Sequence, residues 1–216
     1  MKHLILLFLP LTLWAQDSAT LTITTDAPAR LEIDGAPAGP VQPGTPLQLK
    51  TSPGEHLILA TPESGGPSWR KAVAVSSALP NTLALPLLTH LRRVEIQKIG
   101  FWKDERTALI WAAVDSGSGV TVSQAHAYCR QLAAGGFHDW RLPRIDELQT
   151  LFAGSTATSD ERGFRLIAPL KLSGWSWSAD EGREPAENWT LDLGDGARAS
   201  VAAGDAGLNR ALCVRR

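Results

Sequence analysis

Cys129 and Cys213 are the only two cysteines in this 216-residue chain, and whether they pair constrains the fold more than any other feature. A bridge would hold their Cα atoms within about 4–7 Å of each other and close a long loop between them. The N-terminus indicates the redox compartment. Met1-Lys2-His3 is followed by the apolar run Leu4 to Leu13 and by Trp14-Ala15, which is the layout of a secretory signal peptide over residues 1–15 with cleavage after Ala15. The run is shorter than the roughly 20 residues needed to span a bilayer, and Pro10 interrupts it. No cysteine follows it closely, which argues against a lipoprotein anchor; the competing reading is a buried N-terminal strand or helix. An exported chain, whether periplasmic, cell-surface or extracellular, meets oxidising conditions in which disulfides persist. A Cys129–Cys213 bridge would then contribute about 4–5 kcal/mol in the chain-entropy description. Neither cysteine sits in a C-x-x-C pair, so a structural bridge fits better than metal binding or thiol exchange. Two buried free thiols are the alternative.

The formal net charge is -1, which argues against general binding to nucleic acid or to a membrane surface, both of which favour a basic excess. No later stretch is apolar enough for an integral membrane segment once the leader is removed. The length allows one large or two small domains.

From about Ser18 to Leu88 the chain reads as strands and turns. Leu21 and Ile23 alternate with threonines, Leu31 and Ile33 with Arg30, Glu32 and Asp34, and Leu47 and Leu49 with Gln48 and Lys50. Further short runs are Leu57-Ile58-Leu59, Val73 with Val75, and Leu83 with Leu85. Period-two alternation turns one face inward. Asp34-Gly35, Pro43-Gly44, Pro53-Gly54, Gly65-Gly66-Pro67 and Pro80-Asn81 punctuate these runs as turns, and Asp-Gly between alternating strands predicts a hairpin because glycine accepts positive φ. The pattern predicts a small β-sandwich.

Ala27-Pro28-Ala29-Arg30-Leu31-Glu32-Ile33-Asp34-Gly35, with Gly39, Thr45-Pro46-Leu47 and Pro53-Gly54-Glu55-His56, resembles a PEGA domain, although extra residues separate the glycine from the Thr-Pro step. The resemblance covers residues 18–88 and implies an immunoglobulin-like sandwich of surface and envelope proteins, with no activity. Residues 89–100 read as a linker or as the first strand of the next domain, and their charges, Arg92, Arg93, Glu95 and Lys98, as a solvated face.

The second half differs in character and holds six of the eight tryptophans: Trp102, Trp111, Trp140, Trp175, Trp177 and Trp189. A helix is predicted over Thr121 to Ala134. Thr121 and Gln124 form a capping-box pattern, Val122, Ala125, Cys129 and Leu132 share a face, and Gly135-Gly136 ends it. A second helix is predicted over Pro143 to Phe152, with Pro143 at its first position and Asp146 and Glu147 near its positive end. Strands follow at Ser173 to Ser178, Asn188 to Leu193, Arg198 to Ala202 and Arg210 to Arg215.

The ordered set Leu109-Ile110-Trp111, Ala127-Tyr128-Cys129, Trp140-Arg141-Leu142-Pro143 with Glu147-Leu148, Trp175-Ser176-Trp177-Ser178, Trp189 through Gly194, and Cys213-Val214-Arg215 resembles the C-terminal domain of Legionella collagen-like protein over residues 101–216. That resemblance implies an α+β, C-type-lectin-like domain in which the helix cysteine bridges to the last strand. The expected fold class is therefore mixed, an all-β immunoglobulin-like sandwich followed by an α+β C-type-lectin-like domain. It also implies adhesion through carbohydrate, in particular sulfated polysaccharide. Against sulfate, the acidic and basic side chains of this half balance, and Arg162, Arg165 and Lys171 adjoin Asp160 and Glu161, whereas oxyanion recognition favours clustered guanidinium groups.

Calcium-dependent sugar binding uses hard oxygen ligands. Glu184-Pro185-Ala186 and Asn188-Trp189-Thr190 depart from the lectin triplets, yet Asp180, Glu181, Glu184, Glu187 and Asp192 remain an acidic set that could take calcium, against the blander reading of a solvated loop. No cofactor is otherwise expected. Trp140 and Trp177 read as core, while Trp175 and Trp189 are open to ligand. The candidate ligand-binding residues are Trp175, Asp180, Glu184, Asn188, Trp189 and Arg198. Enzyme chemistry finds no support. Both thiols are taken by the expected bridge, His126 and His138 lack metal-ligand spacing, and no nucleophile motif such as Gly-x-Ser-x-Gly occurs. The expected function is an exported, non-catalytic binding protein of the bacterial envelope that engages polysaccharide or a surface protein through the loops of its second domain. The alternative is a structural component of an envelope assembly with no small ligand.

Overall fold

The computed structural model describes residues 18–154 and 163–216. The leader expected over residues 1–15, and Asp160, Glu161 and Arg162, lie outside the described residues. Backbone proximity divides the chain into two compact units, Met1–Leu88 and Thr89–Arg216. Among the described residues no helix is long and apolar enough to cross a membrane.

The first unit is β-rich. Its strands are β1 (Ala19–Thr25), β2 (Ala29–Ile33), β3 (Ala36–Val41), β4 (Leu47–Thr51), β5 (Gly54–Pro62), β6 (Trp69–Val75) and β7 (Asn81–Leu85). They form a three-stranded sheet ordered β4-β1-β7 and a four-stranded sheet ordered β3-β2-β5-β6. The pairings are antiparallel except β1 with β7, which run parallel. Alternation does what the sequence predicts. Leu21 and Ile23 of β1, Leu31 of β2, Ile58 and Ala60 of β5, and Leu83 and Leu85 of β7 turn inward and meet in one core. Each fully buried Leu or Ile contributes about 1.5–3 kcal/mol relative to exposure. Leu57, neighbour to Ile58, faces outward and is half exposed.

Asp34 and Gly35 both have positive φ, 52° and 81°, which matches a two-residue turn whose twist suits the β2–β3 hairpin. Strand β3 was not expected from the sequence. Pro37 and Pro40 break its pattern, and it survives because it lies at the sheet edge, where a missing N–H costs no ladder bond.

Residues expected as a linker or first strand are instead part of helix α1 (Leu87–Ile99). Val94-Glu95-Ile96 imitates strand alternation. The buried positions 87 and 96 and the half-buried positions 90, 91, 93, 94 and 97, however, are linked by steps of three and four residues, the helical spacing. Pro86 precedes the helix, and Gly100, at φ 90°, follows it.

The second unit is α+β. It contains β8 (Phe101–Lys103), β9 (Ile110–Ala112), α2 (Val122–Gln131), α3 (Ile145–Gln149), β10 (Trp175–Glu181), β11 (Glu187–Leu191), β12 (Arg198–Ala202), β13 (Asn209–Arg210) and β14 (Val214–Arg215). One sheet has the order β12-β11-β10-β13 and the other β14-β9-β8. The strand expected over Arg210 to Arg215 is thus two short strands in different sheets. The buried segment Ala211-Leu212-Cys213 carries the chain from one sheet to the other.

Both helices are shorter than predicted. Helix α2 begins as expected, with Thr121 and Gln124 forming both bonds of a capping box. It stops at Leu132, whose backbone is already extended (ψ 132°) and whose side chain packs on the core around Cys129. Gly135, expected as the helix terminator, serves a different purpose: a Cβ there would sit 2.4 Å from Cδ1 of Phe101, so only glycine admits the ring. Helix α3 excludes Pro143, because the Pro143 carbonyl accepts from Ala179 N–H of β10 and holds that residue in an extended path.

Candidate ligand-binding site

Cys129 of α2 and Cys213, just ahead of β14, form a disulfide with Cα atoms 5.5 Å apart, and both residues are fully buried. The bridge runs through a core of Trp140, Leu142, Trp177 and Ala211. A second core on the other side of the four-stranded sheet gathers Trp111, Leu148, Leu151, Leu170, Leu191 and Leu212. Trp177 and Thr190 are register partners, as are Ser176 and Leu191. Trp177 and Thr190 therefore share one face and Leu191 and Trp189 the other, because successive residues alternate.

The Trp140-Arg141-Leu142-Pro143 step is a structural fastening. Trp140 is buried and donates its indole N–H to Ala134 O at 3.3 Å. Arg141 exchanges backbone bonds with Val214 and sets its guanidinium on both oxygens of Glu147, at 2.8 and 2.6 Å. Glu147 also accepts from Arg144 N–H. Burial pushes the Glu147 carboxyl up, but Arg141 and the Arg144 N–H outweigh it and hold the group below its ordinary value.

The six candidate residues do not form one site. Asp180 accepts from Ile145 N–H at 2.8 Å, so it caps the start of α3, and Asn188 donates to the carbonyls of Ser178 and Asp180. Glu184 is exposed in the β10–β11 turn, where its N–H donates to Glu187 and its carbonyl accepts from Glu187 N–H. Trp189 packs on the Leu148 core, and Arg183 lies over its ring at 5.4 Å. Arg198 pairs with Asp146 of α3 at 3.7 Å. Trp175 stands apart from these, at the far end of β10 and on the opposite face from Trp189. Of the acidic side chains considered for calcium, Asp180, Glu187 and Asp192 are drawn into the fold in the same way, whereas Glu181 and Glu184 are exposed. Glu187 accepts from Ser200 Oγ at 2.5 Å and Asp192 from Gly194 N–H. Among the described residues no three His, Cys, Asp or Glu side chains gather where a metal ion could be held.

Trp175 has no place in either hydrophobic core and is only half-buried. Its backbone N–H donates to the backbone carbonyl of Leu208, a residue that is 69% exposed. Arg210 lies against Gly174, where a Cβ would come within 3.2 Å of its guanidinium carbon. The Arg210 guanidinium is held by Ser173 Oγ, Gly207 O and Asn209 O. Trp175 is the register partner of Asn209 and Ser176 that of Arg210, so the indole and the Arg210 guanidinium leave opposite faces of the β10–β13 pairing. Leu208 and Arg210 carry no local signal in the sequence; the parallel pairing of β10 with β13 brings their backbone beside that of Trp175. A separate groove of about 630 Å³ is lined by Thr107, Ala108, Leu109, Asp146, Glu147, Thr150 and Arg216, and its half-buried Glu147 is already paired with Arg141.

The family model described as the Lcl C-terminal domain matches residues 100–215. No curated protein matches the chain.

Proposed function

The chain belongs, through residues 100–215, to the Lcl C-terminal domain family, and from that premise we propose that it is an exported binding protein whose second unit engages polysaccharide at the cell surface. The second unit is a non-catalytic domain. We read its architecture as C-type-lectin-like and that of the first unit as a PEGA-like, immunoglobulin-type sandwich that presents it.

The observation that carries the binding reading is Trp175, a large aromatic ring left outside both cores and only half-buried. An indole presents a flat apolar face and an N–H, which suits the apolar face and hydroxyl rim of a sugar ring. Trp189 and Arg198, on the opposite face of the sheet from Trp175, belong to the reading as a separate contact surface. They would engage a ligand only by releasing Arg183 and Asp146 respectively. Asp180, Glu184 and Asn188 shape the hairpin that supports them.

A glycan array of the mature protein, run with and without calcium, tests this. Binding is expected without calcium and is expected to disappear in Trp175→Ala, while the melting temperature stays close to that of the parent. Absence of any glycan signal, together with co-purification of a stable protein partner, would replace this reading with that of a structural envelope component.

A further inference from the structure

His56 of β5 is 7% exposed, and both of its ring nitrogens face hydrogen-bond acceptors. Nδ1 lies 2.6 Å from Asp34 Oδ2, and Nε2 lies 2.8 Å from the Ser52 carbonyl and 3.3 Å from Thr51 Oγ1. A neutral imidazole carries one donor and one acceptor. Either tautomer would therefore point a lone pair at the carboxylate or at the carbonyl. Only the imidazolium, with a proton on each nitrogen, satisfies both contacts.

The partners are as informative as the ring. Asp34 sits in the β2–β3 turn of the four-stranded sheet, and its other oxygen accepts from Leu57 N–H at 2.8 Å. Ser52 follows β4, an edge strand of the three-stranded sheet. The one ring thus fastens a turn of one sheet to the strand end of the other. We propose that His56 is a proton-dependent clasp between the two sheets of the first unit, closed when the ring is an imidazolium and released as it loses a proton.

Asp34 is the charged group acting on His56. Across β6 the register partner of His56 is Val73, Lys71 on that same face is exposed, and Glu55 projects to the opposite, exposed face of β5. Consistent with the geometry, the Asp34 bond and then the Ser52 carbonyl hold the His56 ring above its ordinary value of 6.5, and the His56 bond holds Asp34 below its ordinary 3.8. The stabilisation from His56 is accordingly complete below the ordinary histidine value and is lost as pH rises through the raised one. That from Asp34 is present above the ordinary carboxylate value and is lost as pH falls through the depressed one.

Long-range ¹H–¹⁵N spectra of the imidazole rings, recorded across pH on the labelled full chain, test the clasp. His56→Gln supplies the assignment, and Asp34→Asn supplies a second variant whose side chain tolerates the same left-handed turn. At about pH 6, near the ordinary titration of histidine, both His56 nitrogens are expected to carry protons. The His56 midpoint is expected above 6.5 and to fall in Asp34→Asn, and the amides of Gly35 and Gly54 are expected to shift with the same midpoint. A His56 ring with one bare nitrogen at about pH 6, a midpoint unmoved by Asp34→Asn, or turn amides indifferent to it would each overturn the proposal.

Discussion

In the first unit the backbone groups of seven strands meet one another across ladders, whereas in the second long stretches of chain lack a strand partner and side chains take their place. Asp104 is almost fully buried and accepts from the N–H and guanidinium of Arg106 and the hydroxyl of Thr107, which holds the β8–β9 turn. Asp115 binds Gly117 N–H and both the N–H and hydroxyl of Ser173. Glu147 and Asp180 fasten the start of α3. The difference follows from strand length. Strands of five to nine residues, β10 to β12 of the second unit among them, satisfy their own backbone, while the segments around strands of two or three residues turn to loop carbonyls and to carboxylates, because a buried unpaired N–H costs about 1–3 kcal/mol. Periodicity specifies the first unit, and named polar residues together with one disulfide specify the second.

The most direct way to break this contrast is Cys129→Ser. Urea unfolding followed by tryptophan emission, dominated by the six tryptophans beyond residue 100, is expected to show a loss of about 4–5 kcal/mol. An unchanged midpoint under oxidising conditions would remove the disulfide from the account. Next comes the core of the first unit. Ile23→Ala removes a fully buried side chain and is expected to cost about 3 kcal/mol, read as lost amide-exchange protection along β1 and β7; a cost near zero would mean that the ladders alone hold the sandwich.

Smaller effects sharpen the role of the carboxylates. Glu147→Gln leaves the half-exposed Arg141 without its bidentate partner and is expected to cost about 1–2 kcal/mol after allowing for screening. Because the Glu147 carboxyl is held below its ordinary 4.5, the native contribution is present above that pH and is lost as pH falls through the depressed value. The variant should therefore lose less stability than the parent on acidification below 4.5, and parallel acid-denaturation curves would contradict the assignment. The smallest effect is expected from Thr121→Ala, which removes one half of the α2 capping box and should lower stability by about 1 kcal/mol, measurable as a shift in the denaturation midpoint.

Legibility in the sequence follows the same division. Six of the seven strands of the first unit announce themselves by alternation, and the seventh, β3, is masked by two prolines that an edge position tolerates. In the second unit the capping box of α2 was readable because it lies within four residues. The end of α2, the start of α3 and the division of the last segment into β13 and β14 were not readable, since distant residues set each of them: the core around Cys129 for Leu132, Ala179 for Pro143, and two separate sheets for the final strands. The candidate site shows the same limit. Trp175 is one of six residues that the sequence singles out, and the fold engages the side chains of Asp180, Asn188, Trp189 and Arg198 in contacts of their own.

By itself, then, the sequence determined the two halves, their β-rich and α+β character, the capping of α2 and the pairing of its only two cysteines, because each depends on short-range periodicity or on a choice with a single partner. Tertiary structure alone decided which polar side chains remain for a ligand. A carboxylate or tryptophan reads the same in the chain whether it faces solvent or closes a buried backbone group, and only packing reveals that Asp180 and Asn188 hold a hairpin, that Trp189 lies beneath Arg183, and that Trp175 is left outside both cores.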